Sequence, residues 1–334
     1  KCMKLGMPKA MSYYYYYPFL YGFFKALGVE IILSDNTTKK TLAEGASRVV
    51  TETCLPVKVF VGHVLNLIEK GVDKIFVPSY QSIAPKIYNC SKIRGLPDLI
   101  RNVVKEKFTL VEPTLDKSAK NQGLKEFLVE CASYFNITDM NLIKEAEKAG
   151  WKVWNNFNVM LKSGIQYAKA LDYAIQGKVC IAEEDKKDYP ITIALVSHAY
   201  NIYDERTSMK IFEKLDKMNV KVCTAMQLSQ EHLVDGIAAL GQNYYWANET
   251  EMTGCAGHYM KDSKVDGMIT LTAFGCGPDS LMLERITRKA KEYAMPLLNL
   301  TIDEHTGEAG FVTRLEAFVD MLFRKQRAAE MQQV

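Results

Sequence analysis

The sequence predicts an α/β protein of two Rossmann-like parallel-sheet domains, derived from an internal duplication and joined by a helical segment. Three observations predict it. Strand-like and helix-like patterns alternate over the first hundred or so residues, and the stretch from about Pro113 to Glu184 then has helical apolar spacing with almost no strand signal. After that the first plan restarts. "ITIALVSHAYNIYDERTSMKIFEKLDKMNVKVCT" follows "MKLGMPKAMSYYYYYPFLYGFFKALGVEIILS" in order and spacing: strand, aromatic loop, helix, short strand. The expected boundaries are an N-terminal α/β domain over 1–112, a helical layer over 113–188 and a C-terminal α/β domain over 189–334.

The elements follow in order. "MKLGMP" reads as a strand, and "SYYYYYPFLYGFFKALG" as an aromatic helix closed by Gly28. "VEIILS" is a second strand. In "NTTKKTLAEGASRVV", Asn36 and Thr37 suit the cap of a helix. "PVKVFVGHVLNLIEKG" is a helix ending at Gly71, and "VDKIFVPSY" is a continuous apolar strand of the kind buried on both faces. "LKEFLVECASYF" and "NLIKEAEKAGWKVWNNFNVMLKSGIQYAKALDYAI" supply the helical middle, and "AEEDKKDYP" marks a boundary. In the second half "KVDGMITLTAFGC" echoes "GVDKIFVPSY" and its downstream Cys90, and "MPLLNLTIDEHTGEAGFVTRLEAFVDML" closes the chain with strand, polar loop and amphipathic helix. Sheets of this type bind ligands at the carboxyl ends of their strands.

Composition excludes several classes. A length of 334 residues favours two domains. A formal charge of +3 argues against a nucleic-acid or anionic-membrane partner. No apolar stretch approaches the roughly 20 residues a membrane span needs, and "KCMKLGMPKA" lacks the apolar core of a signal peptide, so the expected location is cytoplasmic. GxxxxGK[ST], a helix-opening GxGxxG and GxSxG are all absent, which argues against a nucleotide site and a serine hydrolase. The "YYYYY" run has no basic groove beside it and reads as packing.

Eight cysteines stand at positions 2, 54, 90, 131, 180, 223, 255 and 276, with no CxxC pair. In a chain of this kind they are packed, metal-bound or catalytic sooner than disulfide-bonded. Three share a context. Cys54 in "TETCLPVK" precedes Pro56 and a helix, Cys90 in "IYNCSKIRGLPD" lies in the irregular stretch after the strand "IFVP", and Cys276 in "TAFGCGPDS" sits between two glycines at a strand exit. Pro278 and Asp279 can start a helix there. A helix N-terminus offers unpaired N–H groups and positive partial charge, which stabilise thiolates and sulfides. Three such thiolates suit an iron–sulfur cubane with one open iron, and equally a zinc ion with a fourth ligand. Cys131, Cys180 and Cys223 read as packed residues, Cys2 carries little information, and Cys255 in "MTGCAGHYM" fits either packing or presentation.

Among the histidines, His63 lies on a helix that can bury or expose it, His232 reads as surface, and His258 faces solvent or a helix partner. His198 occupies a strand exit in "LVSHAYNIYD". His305 belongs to a loop rich in titratable groups, with Asp303, Glu304 and Glu308. That loop reads either as capping and solvated charge or as proton-handling groups beside a site.

The stretches "GMPKAMSYYYYYPF", "TETCLPVKVFVGHV", "VDKIFVPS" with "CSKIRGLPDLIR", "SHAYNIYD", "FGCGPDS" and "TIDEHTGEAGFVTRLEAFVDML" together carry a resemblance. The chain resembles the uncharacterised domain found in, or beside, activator proteins of 2-hydroxyacyl-CoA dehydratases. It is more distantly similar to the dehydratase subunits and to double-cubane cluster reductases. The resemblance implies an oxygen-sensitive iron–sulfur protein. By motif, Cys54, Cys90 and Cys276 match the three cysteines that hold a [4Fe–4S] cluster in related dehydratase subunits. A double-cubane cluster would need about six cysteine ligands and is less well matched, with Cys255 the one further candidate. The implied partner is an ATP-dependent iron–sulfur activase that delivers one low-potential electron in trans, since the chain has no ATPase motif of its own. An acyl-CoA or another small molecule is the implied substrate, and a second copy of the chain a further candidate partner. The expected function is that of a reductase or dehydratase-like component. His198, Glu304, His305 and Glu308 are then candidates for proton delivery or orientation. The alternatives are a non-catalytic electron relay or scaffold for the activase, and a structural zinc-binding protein.

Overall fold

Short apolar strands build the first sheet because each is flanked by a helix that covers it. The structure is a computed structural model and describes residues 3–181, 188–241 and 246–331. The chain divides into two units, Lys1–Ala182 with Tyr244–Ala247, and Glu183–Asn243 with Asn248–Val334.

The first unit begins with β1 (Met3–Met7), α1 (Tyr13–Ala26), β2 (Val29–Leu33), α2 (Lys39–Arg48) and α3 (Leu55–Glu69). Gly28 ends α1 with φ of 74°, a left-handed conformation that a side chain would disfavour. The cap of α2 is Thr38, whose hydroxyl accepts from the Thr41 N–H at 3.1 Å. The expected caps are engaged elsewhere: Asn36 accepts from Lys9, and Thr37 meets the His63 ring at 2.8 Å. Next come β3 (Lys74–Phe76), β4 (Ser79–Ala84), β5 (Ile87–Tyr88), α4 (Ser91–Arg94), α5 (Leu96–Val103), β6 (Thr109–Val111) and β7 (Thr114–Asp116). The run "VDKIFVPSY" is therefore two strands, not one. Pro78 has no N–H to give a ladder, and the chain leaves the main sheet there to pair with β7. β7 also puts a short strand into the stretch expected to be helical. The main sheet has the order β2-β1-β3-β6, every pair parallel. Leu5, Phe23, Phe24, Phe60 and Ile75 fill its core.

The remaining helices of this unit are α6 (Leu124–Ser133), α7 (Met140–Lys162) and α8 (Tyr167–Ile175). α7 packs against the tyrosine-rich α1 with the backbones almost touching. A methyl on Gly22 would stand 2.6 Å from the Ala149 carbonyl, and one on Gly150 would stand 2.8 Å from the Phe19 carbonyl. Tyr13, Tyr14 and Tyr17 are buried in this packing, and the Tyr167 hydroxyl donates to the Tyr14 carbonyl at 3.0 Å.

The second unit holds β8 (Ile191–Ser197), α9 (Ala199–Ile202), α10 (Ile211–Lys217), β9 (Val220–Thr224), α11 (Gln230–Leu240), α12 (Ala247–Met260), β10 (Gly267–Ala273), α13 (Gly277–Glu292), β11 (Leu297–Ile302) and α14 (Glu308–Met331). Its sheet order is β9-β8-β10-β11, again wholly parallel. In chain order within each sheet, both read second, first, third, fourth. The duplication reaches the helix pairs too. A methyl on Gly45 of α2 would land on the Lys58 carbonyl of α3, and one on Gly62 of α3 on the Thr41 carbonyl of α2. In the same way a methyl on Gly236 of α11 would land on the Gly254 carbonyl, and one on Gly257 of α12 on the Gly236 carbonyl. Each half thus keeps one helix crossing that only glycine permits. In both sheets the order of strand addition reverses between the first and third strands, the switch point at which α/β sheets take ligands.

Candidate functional site

In the second unit the switch point lies where β8 and β10 end. β8 is followed directly by His198, which caps α9, and β10 by Phe274, Gly275 and Cys276. Gly275 turns the chain with φ of 78°, which makes glycine the fitting residue, and Cys276 then caps α13 with Pro278 in the first turn. That geometry brings Asp279 back under the strand ends. His198 Nε2 and Asp279 Oδ1 are 2.8 Å apart, and both residues are almost wholly buried, at 4% and 1% exposure. The Cys276 thiol joins them: one ligand atom from each of His198, Cys276 and Asp279 lies within 4.8 Å of the other two.

Further polar groups surround this trio. Asn201 follows His198 one turn along α9, and Glu249 and Thr253 share a face of α12 at i and i+4. All three are buried. Burial pushes the Glu249 carboxyl up to about 8, with the Asp279 charge adding and His198 opposing. Burial likewise lifts Glu251 to about 7 against the pull of His198. For His198 burial disfavours the charged ring, but Asp279, by charge and by hydrogen bond, outweighs it, with Glu251 and Glu249 adding. The imidazole is held above its ordinary value. This corner can therefore store protons at neutral pH, and it can offer nitrogen, sulfur and oxygen donors to a metal.

In the first unit Cys54 caps α3, with Pro56 in its first turn, and Cys90 caps the short α4. Both thiols are half-buried, as is that of Cys276, and no described cysteine is in a disulfide. Cys131 and Cys255 are fully buried, and burial raises both thiols well above the ordinary value. Cys180 and Cys223 are half-buried, whereas Cys2 lies outside the described residues. His63 is buried between two hydroxyls, Ser34 Oγ at 2.7 Å and Thr37 Oγ1 at 2.8 Å, and so ties α3 to the β2–α2 turn. His232 is exposed, and its ring lies tilted at 4.5 Å from that of the half-buried His258.

The Asp303–Glu308 loop is organised by its own turn. The Asp303 carboxylate accepts from the His305 N–H at 2.9 Å and the Thr306 hydroxyl at 2.7 Å. His305 is exposed with Glu304 at 3.7 Å, and Glu308 pairs with Lys214 at 2.7 Å.

Sequence reading singled out His198 and Cys276 but missed their partners. Asp279 appears there only as a helix starter, and Glu249, Asn201 and Thr253 not at all. One signal points to Glu249. "GH" occurs at Gly62–His63 in α3 and at Gly257–His258 in α12, and the eighth residue before each glycine is Cys54 in one half and Glu249 in the other. Glu249 thus takes the place of Cys54 in the repeated plan.

Two parallel sheets of one topology, each with a cysteine-capped helix between its third and fourth strands, define a duplicated α/β protein. The chain belongs to the family described as the CoA enzyme activase uncharacterised domain, whose model matches residues 4–228. Residues 156–322 match the 2-hydroxyglutaryl-CoA dehydratase D-component family. These matches make it a component of a 2-hydroxyacyl-CoA dehydratase and activase system. A comparison with curated proteins found no match. Among the described residues no helix is long and apolar enough to cross a membrane.

Proposed function

We propose that this protein is an iron–sulfur component that accepts a low-potential electron from an ATP-dependent activase and acts as a reductase or dehydratase-like partner. In this reading Cys54, Cys90 and Cys276 hold one [4Fe–4S] cluster, and an acyl-CoA is the substrate class suggested by the family. The observation that carries it is that all three cysteines are helix N-caps with half-buried thiols. The donor set fits the group: soft sulfur ligands, each at a helix N-terminus whose positive end favours a thiolate or sulfide. The field is weakest at the four-residue α4. When bound, such a cluster supplies one-electron chemistry and, with only three thiolates, one iron open to an outside ligand.

The chain's own residues do the rest. His198 keeps a proton on its ring beside Cys276, held there by Asp279. Burial pushes the Glu249 carboxyl up to about 8, so it holds a further proton at neutral pH, and Glu251, lifted to about 7, exchanges one there. Glu304, His305 and Glu308 are in this reading the groups that deliver or orient a proton, and Glu308 ties their loop to Lys214.

Anaerobic purification followed by iron and sulfide analysis tests the reading. A brown protein with about four irons per chain is expected. A colourless protein with no iron after anaerobic reconstitution would contradict it, and about one zinc per chain would replace it with a single-metal site. Addition of acyl-CoAs to the reduced protein should change its electron paramagnetic resonance spectrum. No change with any of them would favour an electron relay.

A further inference from the structure

Every buried side-chain nitrogen or oxygen without a hydrogen-bond partner, among the described residues, belongs to one of five side chains of the second unit. They are His198 Nδ1, both amide atoms of Asn201, both carboxylate oxygens of Glu249, Thr253 Oγ1 and Asp279 Oδ2. Folded proteins pair nearly all such groups, because leaving one buried and unpaired forfeits its hydration with nothing in return. Seven of them in one corner indicate a missing partner, not scattered defects.

The chemistry of that partner is legible. Four of the seven atoms are carboxylate or amide oxygens, and Thr253 Oγ1 can also accept. Charge points the same way. Glu249 is repelled by Asp279 and drawn to His198, and His198 is the one charged neighbour acting on Glu251; no lysine or arginine among the described residues acts on either acid. Three carboxylates therefore face a single imidazole, and with all four charged two negative charges are left over. Oxygen-rich, anionic and buried is the description of a site for a hard divalent cation.

We propose that the second unit binds one hard divalent cation of the Mg²⁺ or Mn²⁺ class in this corner, with Asp279 and Glu249 as its carboxylate anchors. Asn201 and Thr253 hydrogen-bond the waters such an ion retains. Hard ions take oxygen in preference to thiolate, so the site leaves Cys276 available for other chemistry. It also explains why Glu249 stands where the first half has Cys54: the second half pairs one thiol with an oxygen site. The inference does not depend on a cluster being present.

Mn²⁺ is the probe. The anaerobically purified full chain is titrated with Mn²⁺, and the free ion's paramagnetic resonance signal is followed. One bound ion per chain is expected, with affinity at least tenfold weaker in Glu249→Gln and Asp279→Asn and about threefold weaker in Asn201→Ala. Mn²⁺ should also raise the melting temperature of the wild type more than that of Glu249→Gln, a readout that exposes any variant that fails to fold. Absence of bound Mn²⁺ at millimolar concentration would overturn the proposal. So would unchanged affinity in both carboxylate variants, or a high-resolution crystal structure grown in Mn²⁺ with only waters among the five side chains.

Discussion

The two sheet units share a topology and a glycine-only helix crossing, yet they use the ends of their first strands differently. In the first unit the histidine after the crossing glycine, His63, is satisfied by two hydroxyls and serves packing. Its helix is capped by a thiol, Cys54. In the second unit the corresponding position in α12 is the buried acid Glu249, and the histidine that follows β8, His198, pairs with Asp279 instead. Duplication preserved what the backbone requires, the glycines and strand order, and released the side chains at the strand ends. The lesson is that in this molecule the invariant between halves is structural and the difference between them is chemical.

The largest expected effect tests the shared part. Gly45→Ala and Gly257→Ala each put a methyl onto a facing backbone carbonyl. Backbone cannot yield as a flexible side chain can, so each should cost about 3 kcal/mol or more in urea unfolding. A large loss in one half and none in the other would break the equivalence of the crossings.

The next effect is confined to the second unit. With divalent cations removed, folded Glu249 holds its proton to about pH 8, whereas the unfolded chain releases it near 4.5. Its contribution is therefore fully present below pH 4.5 and is lost as pH rises towards 8. His198 adds in the same direction, since its raised value makes its contribution complete below 6.5 and lost above that. Glu249→Gln cannot ionise. At pH 8 it should be more stable than the wild type by roughly 2–4 kcal/mol, and at pH 5 by less than about 1 kcal/mol. A wild type whose stability rises from pH 5 to 8, with Glu249→Gln parallel to it, would remove the acid corner from the comparison.

The smallest effects separate the two glycines beside Cys276. Gly275 has φ of 78°, so Gly275→Ala should cost about 1 kcal/mol. Nothing lies within 4 Å of where a Gly277 methyl would be, so Gly277→Ala should stay within about 0.5 kcal/mol of wild type. Equal costs would mean that the turn presenting Cys276 is not set by backbone conformation.

Much of this was legible in the sequence because it follows from periodicity and punctuation. The strands β1, β2, β8 and β10 and the helices α1 and α3 lie where apolar runs, Gly28 and Pro56 put them, and the repeat of the plan foretold the repeated sheet order. The split of "VDKIFVPSY" was less visible, since apolarity alone does not register that Pro78 withholds a ladder donor. Thr38 was obscured by two equally good caps before it, whose other partners are distant in sequence. The acid corner was least legible. Asp279 satisfies a local role as a first-turn acid of α13, and that role hides the long-range pairing with a histidine 81 positions earlier. Glu249 and Thr253 sit on a helix in which no local pattern marks a polar residue as buried, and only the fold puts them inside.

The central claim is that Cys54, Cys90 and Cys276 act as one ligand set. Single Cys54→Ser, Cys90→Ser and Cys276→Ser proteins, purified anaerobically and assayed for iron per chain, test it most directly. Because three thiolates are the minimum that holds a cubane with one open iron, the wild type should carry roughly four irons and each variant should lose nearly all of them. A variant that keeps the wild-type iron content would remove its cysteine from the set and contradict the account.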